Sequence, residues 1–236
     1  LNNSKYLIMS NKVELIGHYG SDQVIAQAAW TSTSRELTED KLGRVDKLLE
    51  MLWKEGHHTP FERGTVHFLV TCDIASHIHL LKHRIGVGIN SESSRYKELK
   101  EDKVYLPEDW KDIKVSKDIR HHYSDDLIAL KDKHWIHVLK YYTDLQDILY
   151  HQCLEDLTPI LGRKRAKESA RYFKTYNSQI TCDVIFNMRS FAHFYKLRSK
   201  ENAQLEIQEI SKEMLRLVKE IEKNPFNKTI DLIEHE

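Results

Sequence analysis

Lys82-His83-Arg84-Ile85-Gly86-Val87-Gly88-Ile89-Asn90-Ser91-Glu92-Ser93-Ser94-Arg95-Tyr96 is the run around which the rest of this sequence is organised. Lys82, His83, Arg84 and Arg95 concentrate positive charge. Gly86 and Gly88 let a backbone come close to a ligand, and the serine hydroxyls and neighbouring amides suit an oxyanion. Such a loop after a helix fits phosphate or another anion. The plain alternative is a solvated surface loop with scattered charge. Ile74 to His83, just upstream, reads as that helix, and Gly86, Gly88 and Asn90 predict a helix-breaking loop beyond it.

Further upstream, Val66, Phe68 and Val70 alternate with Thr65, His67 and Leu69, which predicts a strand over Arg63 to Cys72 with one apolar face. Leu42, Val45, Leu48, Leu49 and Leu52 recur at helical spacing and predict one amphipathic helix from Thr38 to Glu55, ended by Gly56. Val13 to Tyr19 reads as a strand. Ser21-Asp22 offers a cap for a helix through Ala28. Downstream, helices are expected over Lys117 to about Leu157, Arg165 to Phe173, Asp183 to Leu197 and Asn202 to Lys223. In the last, Ile210, Met214, Leu217, Val218 and Ile221 form an apolar stripe, with Pro225 just past its end. The sum is an α+β chain with a small, mostly antiparallel sheet and several helices. No repeat or linker-like stretch divides residues 1–236, so one compact domain is the simplest organisation.

The bulk numbers narrow the partners. The 36 basic and 36 acidic residues cancel to a formal net charge of +0, so an anionic ligand needs a local basic cluster, and neither nucleic acid nor membrane is expected as a partner. No run approaches the roughly 20 apolar residues of a membrane span. Cys72, Cys153 and Cys182 are too few and too dispersed for a disulfide framework, which fits a reducing cytoplasm. His79 and His83 stand at i, i+4, a spacing that can hold zinc. HExxH is absent and no third ligand is evident, so no metal is expected.

Two further clusters stand out. Lys164, Lys167 and Arg171 share one helix face within Arg163 to Arg171, ordinarily a solvated face. Arg189, His193 and Lys196 lie among Phe191, Phe194 and Tyr195, with Arg198 at the helix end. Charged groups on a buried helix need partners or a ligand.

These clusters resemble the flavin-dependent thymidylate synthases. That family's signature is Arg-His-Arg, seven or eight residues, then Ser, often continuing as Ser-x-Arg-Tyr; here it reads Lys82-His83-Arg84, eight residues, then Ser93-Ser94-Arg95-Tyr96. Gly56-His57-His58-Thr59-Pro60-Phe61-Glu62 is similar to the family's Gly-His-x-Thr-Pro-Phe-Glu. Glu168-x-Ala170-Arg171, Asn187-x-Arg189-Ser190, Leu197-Arg198 and Ala203-Gln204-x-Glu206-Ile207 follow in the family's order. The match runs from about Val13 to Gln208.

The resemblance implies a homotetramer with active sites at subunit interfaces. It implies FAD as cofactor, with dUMP, 5,10-methylenetetrahydrofolate and NADPH as small-molecule substrates. Thr59 would contact FAD, supported by His57 and Glu62. Lys82, His83 and Arg84 would hold the flavin and its phosphates, joined by Ser91, Asn187, Arg189 and His193. The turn of Ser91, Glu92, Ser93, Ser94 and Arg95 would cradle dUMP, with His79 and Lys82 alongside and Arg171 from a neighbouring subunit. Arg198 would lie against the uracil and favour ionisation at N3. None of the cysteines stands in the Pro-Cys-His setting of the folate-only enzymes, so no covalent cysteine adduct is expected. The chain departs from the pattern at Lys82 for Arg, His79 for Gln, Ser91 for an acidic residue and His193 for Asn. Two other readings compete: a non-catalytic flavin- or nucleotide-binding protein of the same fold, and a nucleic-acid module using the Arg163 to Arg171 helix.

Overall fold

The computed structural model describes residues 7–8, 10–34, 36–93, 98, 102–120 and 127–235. In chain order, β1 (Leu7–Ile8) and β2 (Lys12–Tyr19) precede α1 (Asp22–Trp30), α2 (Glu39–Leu42) and α3 (Val45–Lys54). A 3-10 turn over Thr59–Arg63 leads into β3 (Thr65–Asp73), α4 (Ile74–Leu81) and β4 (Val87–Ser91). Then come β5 (Lys103–Val104), β6 (Ile119–Arg120), β7 (Leu127–Ile128), α5 (Trp135–Leu161) and α6 (Arg163–Ala170). After a 3-10 turn at Arg171–Phe173, the chain forms β8 (Gln179–Asn187), α7 (Met188–Arg198), α8 (Leu205–Lys219) and α9 (Asn227–Glu234). The fold is α+β, and the described residues fall into two compact units.

The first unit comprises Asn11–Thr71, Ser76–Ser91 and Thr181–Glu236. Its antiparallel sheet runs β2-β3-β8-β4. β3 follows the expected alternation: Val66, Phe68 and Val70 are fully buried while Thr65, His67 and Leu69 are partly open. β2 pairs with it from Lys12↔Thr71 to Tyr19↔Thr65, with a register shift between Leu15 and Gly17.

Four expectations are corrected here. Asp183 to Asn187 belongs to a strand, because Cys182, Val184 and Phe186 alternate inward. The helix starts only where Asn187 Oδ1 accepts the Ser190 amide at 2.8 Å. Val87–Ser91 is a strand too, paired antiparallel with β8 from Val87↔Phe186 to Ser91↔Cys182. α4 has already ended at Leu81; Gly86 makes the turn with φ +66 and Gly88 lies within the strand, whose β-branched Val87 and Ile89 suit a sheet. The single helix expected over Thr38 to Glu55 is two, interrupted at Gly43-Arg44; a glycine inside a helix costs about 1 kcal/mol relative to alanine, and Arg44 instead pairs with Asp40. Within α3, Val45, Leu49 and Leu52 are buried at i, i+4, i+7. On α8 the buried stripe is Ile207, Ile210, Met214, Leu215 and Val218, rotated away from the expected Leu217 and Ile221.

The closing helix α9 has its cap on another element. Asp22, on the first turn of α1, accepts from the Lys228 amide at 2.7 Å and from the Thr229 amide and hydroxyl at 3.2 and 2.6 Å. A carboxylate at a helix N-terminus satisfies orphan amides and meets the positive dipole end. Burial works the other way and raises the Asp22 pKa.

The second unit comprises Leu1–Ser10, Cys72–Ala75 and Glu92–Ile180. β1 and β5 form a parallel pair, and β6 and β7 an antiparallel one. α5 and α6 bury Tyr150, Leu154, Ala166 and Ala170 between them. The helix expected from Lys117 begins only at Trp135. The residues before it are spent otherwise, since Asp118 Oδ1 accepts the Leu130 and Lys131 amides at 2.9 and 2.8 Å and closes a loop. Lys174 is a buried cation of this unit: it donates to Asp147 at 2.6 Å and Asp102 at 2.8 Å, 4.5 Å above the Tyr150 ring.

Candidate active site

The candidate side chains of the first unit come from the end of α3, the segment after α4, and the two ends of α7. Gly56 adopts φ +72 and stops α3, where the His57 amide returns to Leu52 O at 2.8 Å. His58 then stacks on Trp53 with centroids 4.9 Å apart, and buried Phe61 meets the same indole edge-on at 5.0 Å. This apolar clamp consumes His58 and leaves His57 and Thr59 exposed. Glu62, in the turn that follows, accepts from Arg189 at 2.7 Å. The ion pair joins two motifs 127 residues apart.

The Lys-His-Arg segment is stitched to the start of α7. Ser190 Oγ donates to Ile85 O at 2.6 Å and the Asn187 amide donates to Gly86 O at 3.0 Å. Gly86 has φ +66, and a Cβ there would stand 2.3 Å from both Asn187 Nδ2 and Ser190 Oγ. The seam therefore admits no side chain. It also sets Lys82 and Arg84 on the surface, where neither forms an ion pair with a described residue. Exposed cations beside a helix N-terminus favour a bound anion.

The expected buried charged helix divides by face. Phe191 and Phe194 are fully buried, while Arg189, His193 and Lys196 are exposed. At the far end, Arg198 Nε donates to His83 Nε2 at 3.1 Å. Among the described residues its two terminal nitrogens meet no acceptor. His83 lies edge-on to Phe194 at 5.0 Å and to His193 at 6.2 Å.

Two further histidines on α4 are engaged. His79 Nε2 donates to Gln204 Oε1 at 3.0 Å, and Gln204 donates onward to Glu206 at 2.8 Å. His77, which is buried, lies 2.7 Å from Ser91 Oγ. Burial lowers the His77 pKa. Among the described residues no group of three or more His, Cys, Asp or Glu side chains is placed to hold a metal ion. Gln204, Ser190 and His77 carry no role in the sequence reading. The family-like Ala203-Gln204-x-Glu206 run is the signal that could have found Gln204.

Burial lowers the His83 pKa to about 4, helped by the positive charge of Arg198 and by His193 and His79. Its ordinary value is 6.5. Between those values the unfolded chain binds a proton that the folded one refuses, so stability falls as pH drops from 6.5 toward 4. The melting midpoint should therefore fall more steeply over that window in the native protein than in His83→Gln. Parallel curves would show a ring that titrates normally.

The remaining expected residues belong to the second unit or lie outside the described residues. Ser94 and Arg95 lie outside the described residues. Glu92 and Ser93 are partly buried, and Arg171 is exposed at the start of its 3-10 turn; all three belong to the second unit. On α6, Arg163 pairs with Glu98 at 2.6 Å and Arg165 with Glu168 at 3.5 Å, so these two arginines of the basic run are not bare positive charge. The open cleft lined by Asp22, Asp46 and Asp231 shares no residue with the cluster. No described helix is long and apolar enough to cross a membrane.

Comparison with known proteins places these residues in a lineage. The family described as Thymidylate synthase complementing protein matches residues 14–222. A flavin-dependent thymidylate synthase of Pseudothermotoga lettingae is 30% identical over 212 residues, covering 89% of this chain and 85% of that protein. One from Streptomyces avermitilis is 27% identical over 193 residues, covering 80% and 75%. The crystal structure of a UMP/dUMP methylase, PolB from Streptomyces cacaoi bound with 5-Br dUMP, superposes with a TM-score of 0.74 at 23% identity, over 96% of this chain and 95% of that one. That likeness shows the shared fold. On the match of residues 14–222, this chain belongs to the thymidylate synthase complementing protein family.

Proposed function

We propose that the chain is a flavin-dependent thymidylate synthase, a single functional domain that converts dUMP to dTMP in the cytoplasm. The one-carbon donor is 5,10-methylenetetrahydrofolate, and NADPH is the external reductant. The observation that carries this reading is Arg198, held through Nε by His83 while its terminal nitrogens meet no acceptor among the described residues. A guanidinium stays positive at any working pH. Lying against a uracil, it stabilises negative charge on the pyrimidine and makes C5 more nucleophilic toward the one-carbon unit.

The residues present fit FAD. Lys82 and Arg84 are exposed cations beside the α7 N-terminus, and the Gly86 seam lets backbone approach closely. They suit the phosphates, with Asn187, Arg189, His193, His57, Thr59 and Glu62 lining the same region. When bound and reduced, FAD supplies the hydride, which no protein side chain can do. The family resemblance gives the nucleotide phosphate and ribose to Ser91, Glu92, Ser93, Ser94 and Arg95, and to His79 and Lys82. Lys82 lacks the planar fork of the family's Arg and acts there as a point charge.

The reading includes a homotetramer with shared active sites. Tyr141, Leu145 and Ile148 recur at i, i+4, i+7 on α5 and are exposed, the pattern of a helix face that meets a partner. Arg171 then reaches dUMP bound to a neighbouring subunit. Arg171→Ala should weaken dUMP binding about tenfold or more, the loss of one charge-assisted contact. Co-expression with Arg198→Ala should restore partial turnover, since some mixed sites receive both arginines. Unchanged affinity removes Arg171 from the site, and absent complementation places both arginines in one subunit.

The deciding experiment is the visible spectrum of the purified protein, kept anaerobic. Oxidised flavin should bleach with NADPH and return only when dUMP and methylenetetrahydrofolate are both present. Flavin that binds but is never reoxidised by the substrates points to a non-catalytic binder. No flavin binding in excess FAD overturns the reading.

A further inference from the structure

We propose that His83 is a neutral hydrogen-bond acceptor that aims Arg198, a positioning residue and not one of the cations that hold phosphate. The resemblance groups it with Lys82 and Arg84, but its surroundings differ from theirs. Those two side chains are exposed, whereas His83 is half-buried against the edge of Phe194. Its Nε2 faces Arg198 Nε at 3.1 Å. A guanidinium nitrogen donates and never accepts. Nε2 must therefore present its lone pair, and the ring proton sits on Nδ1. A protonated ring would set two N–H groups against each other across that contact.

The charges around the ring point the same way. Arg198 and His193 approach from α7 and His79 from α4, and each opposes a proton on His83. Positive charge is thus divided by position. Lys82 and Arg84 carry it outward, and His83 gives it up to hold a second cation still.

The contact has a geometric consequence. Arg has donors on both edges of its planar head. Binding it through Nε fixes the plane and leaves the terminal pair as a fork for a ligand. Without that anchor the long side chain is free to rotate, and its charge is no longer aimed before the ligand arrives. The 11-residue α7 ends at Arg198, so the backbone alone does not restrain the last side chain.

The hydrogen bond stands without any ligand; only the name of what the fork meets rests on the proposed thymidylate synthase reading. The test therefore has two parts. In the flavin-free protein, 15N NMR of the His83 ring should show the Nδ1–H tautomer at neutral pH, with no protonation until well below pH 6. Arg198→Met should shift the Nε2 resonance and raise the ring's pKa. A ring protonated at Nε2, or one titrating near 6.5, overturns the proposal even if the enzyme is active.

In the loaded enzyme, His83→Gln keeps an acceptor and should hold turnover within about threefold, whereas His83→Phe keeps the ring packing and should lose about thirtyfold or more, the range of a misplaced electrostatic group. Flavin content should be alike in both. His83→Arg restores charge without an acceptor and should behave like His83→Phe. If His83→Arg keeps flavin and turnover while His83→Gln loses both, His83 is a phosphate cation and the proposal fails. If no protein in the series, native included, binds flavin, the functional reading fails and the NMR result alone judges the hydrogen bond.

Discussion

Arg198→Ala should cut turnover about a hundred- to a thousand-fold, the usual cost of removing one preorganised group from the charge developing in a transition state. Flavin content should barely change. The asymmetry follows from position: Arg198 closes α7, while Asn187 and Arg189 open it beside the Gly86 seam, with Lys82 and Arg84 exposed near that seam. Truncation removes charge at one end and leaves the other intact. It also strips the His83 acceptor of its donor, worth about 1 kcal/mol of stability, which is too little to unfold a domain. Arg198→Lys separates charge from shape. It keeps the positive charge but loses both the Nε donor and the planar fork, so turnover should fall between the native and alanine values. The measurement is kcat beside the ratio of flavin to protein absorbance. Equal loss of flavin and turnover would sink the assigned role and make Arg198 a residue of the cofactor wall.

Gly86→Ala should cost about 3 kcal/mol, combining the left-handed backbone penalty with overpacking. The left-handed φ of +66 accounts for one part. The other is the 2.3 Å approach of Asn187 Nδ2 and Ser190 Oγ to a new Cβ. Those two atoms belong to the α7 cap and to the bond from Ser190 to Ile85 O, so relief of the clash breaks the seam. Gly56→Ala is the control. Gly56 has φ +72 but nothing within 4 Å of an added Cβ, so it should lose only the backbone part, about 1 kcal/mol. Urea midpoints of the two variants, with flavin content, measure the difference. A Gly86→Ala variant no less stable than Gly56→Ala would mean that the α7 cap yields at little cost.

Arg198→Ala and Gly86→Ala each test a contact that joins distant segments, and such contacts are the least legible in the sequence. Where pattern and environment are local, the reading agrees with the structure. β3 alternates as its residues do, Ser21 caps α1 by accepting the Val24 amide at 3.2 Å, and Gly56 ends α3. The helix read into Asp183 to Asn187 fails because a short apolar run is ambiguous by period alone. β8 became a strand when β4 was available to pair with it on one side and β3 on the other. Val87–Ser91 reads as loop for the complementary reason: Gly88, with Gly86 just before, signals a break, and only a partner strand supplies the ladder. The helix over Lys117 to Trp135 was displaced by Asp118, which gives its carboxylate to two amides 12 and 13 residues on.

The candidate site divides in the same way. By itself the sequence supplied the candidate motifs and their order: the Gly-His-x-Thr-Pro-Phe-Glu turn, the Lys-His-Arg segment, Asn187, Arg189 and Arg198. Residue chemistry and short spacings live in the chain and need no fold to be read. Tertiary structure alone decided the pairings: Glu62 with Arg189, His79 with Gln204, His77 with Ser91, and His83 with Arg198 across 115 residues. It also decided charge state, since His83 is a cation or a neutral acceptor according to what burial and Arg198 place against it. The physical reason is common to both. A side chain's partner and its solvation are set by sheet register and helix packing, which bring together residues from 14 to 127 apart in the chain, and no local period encodes them.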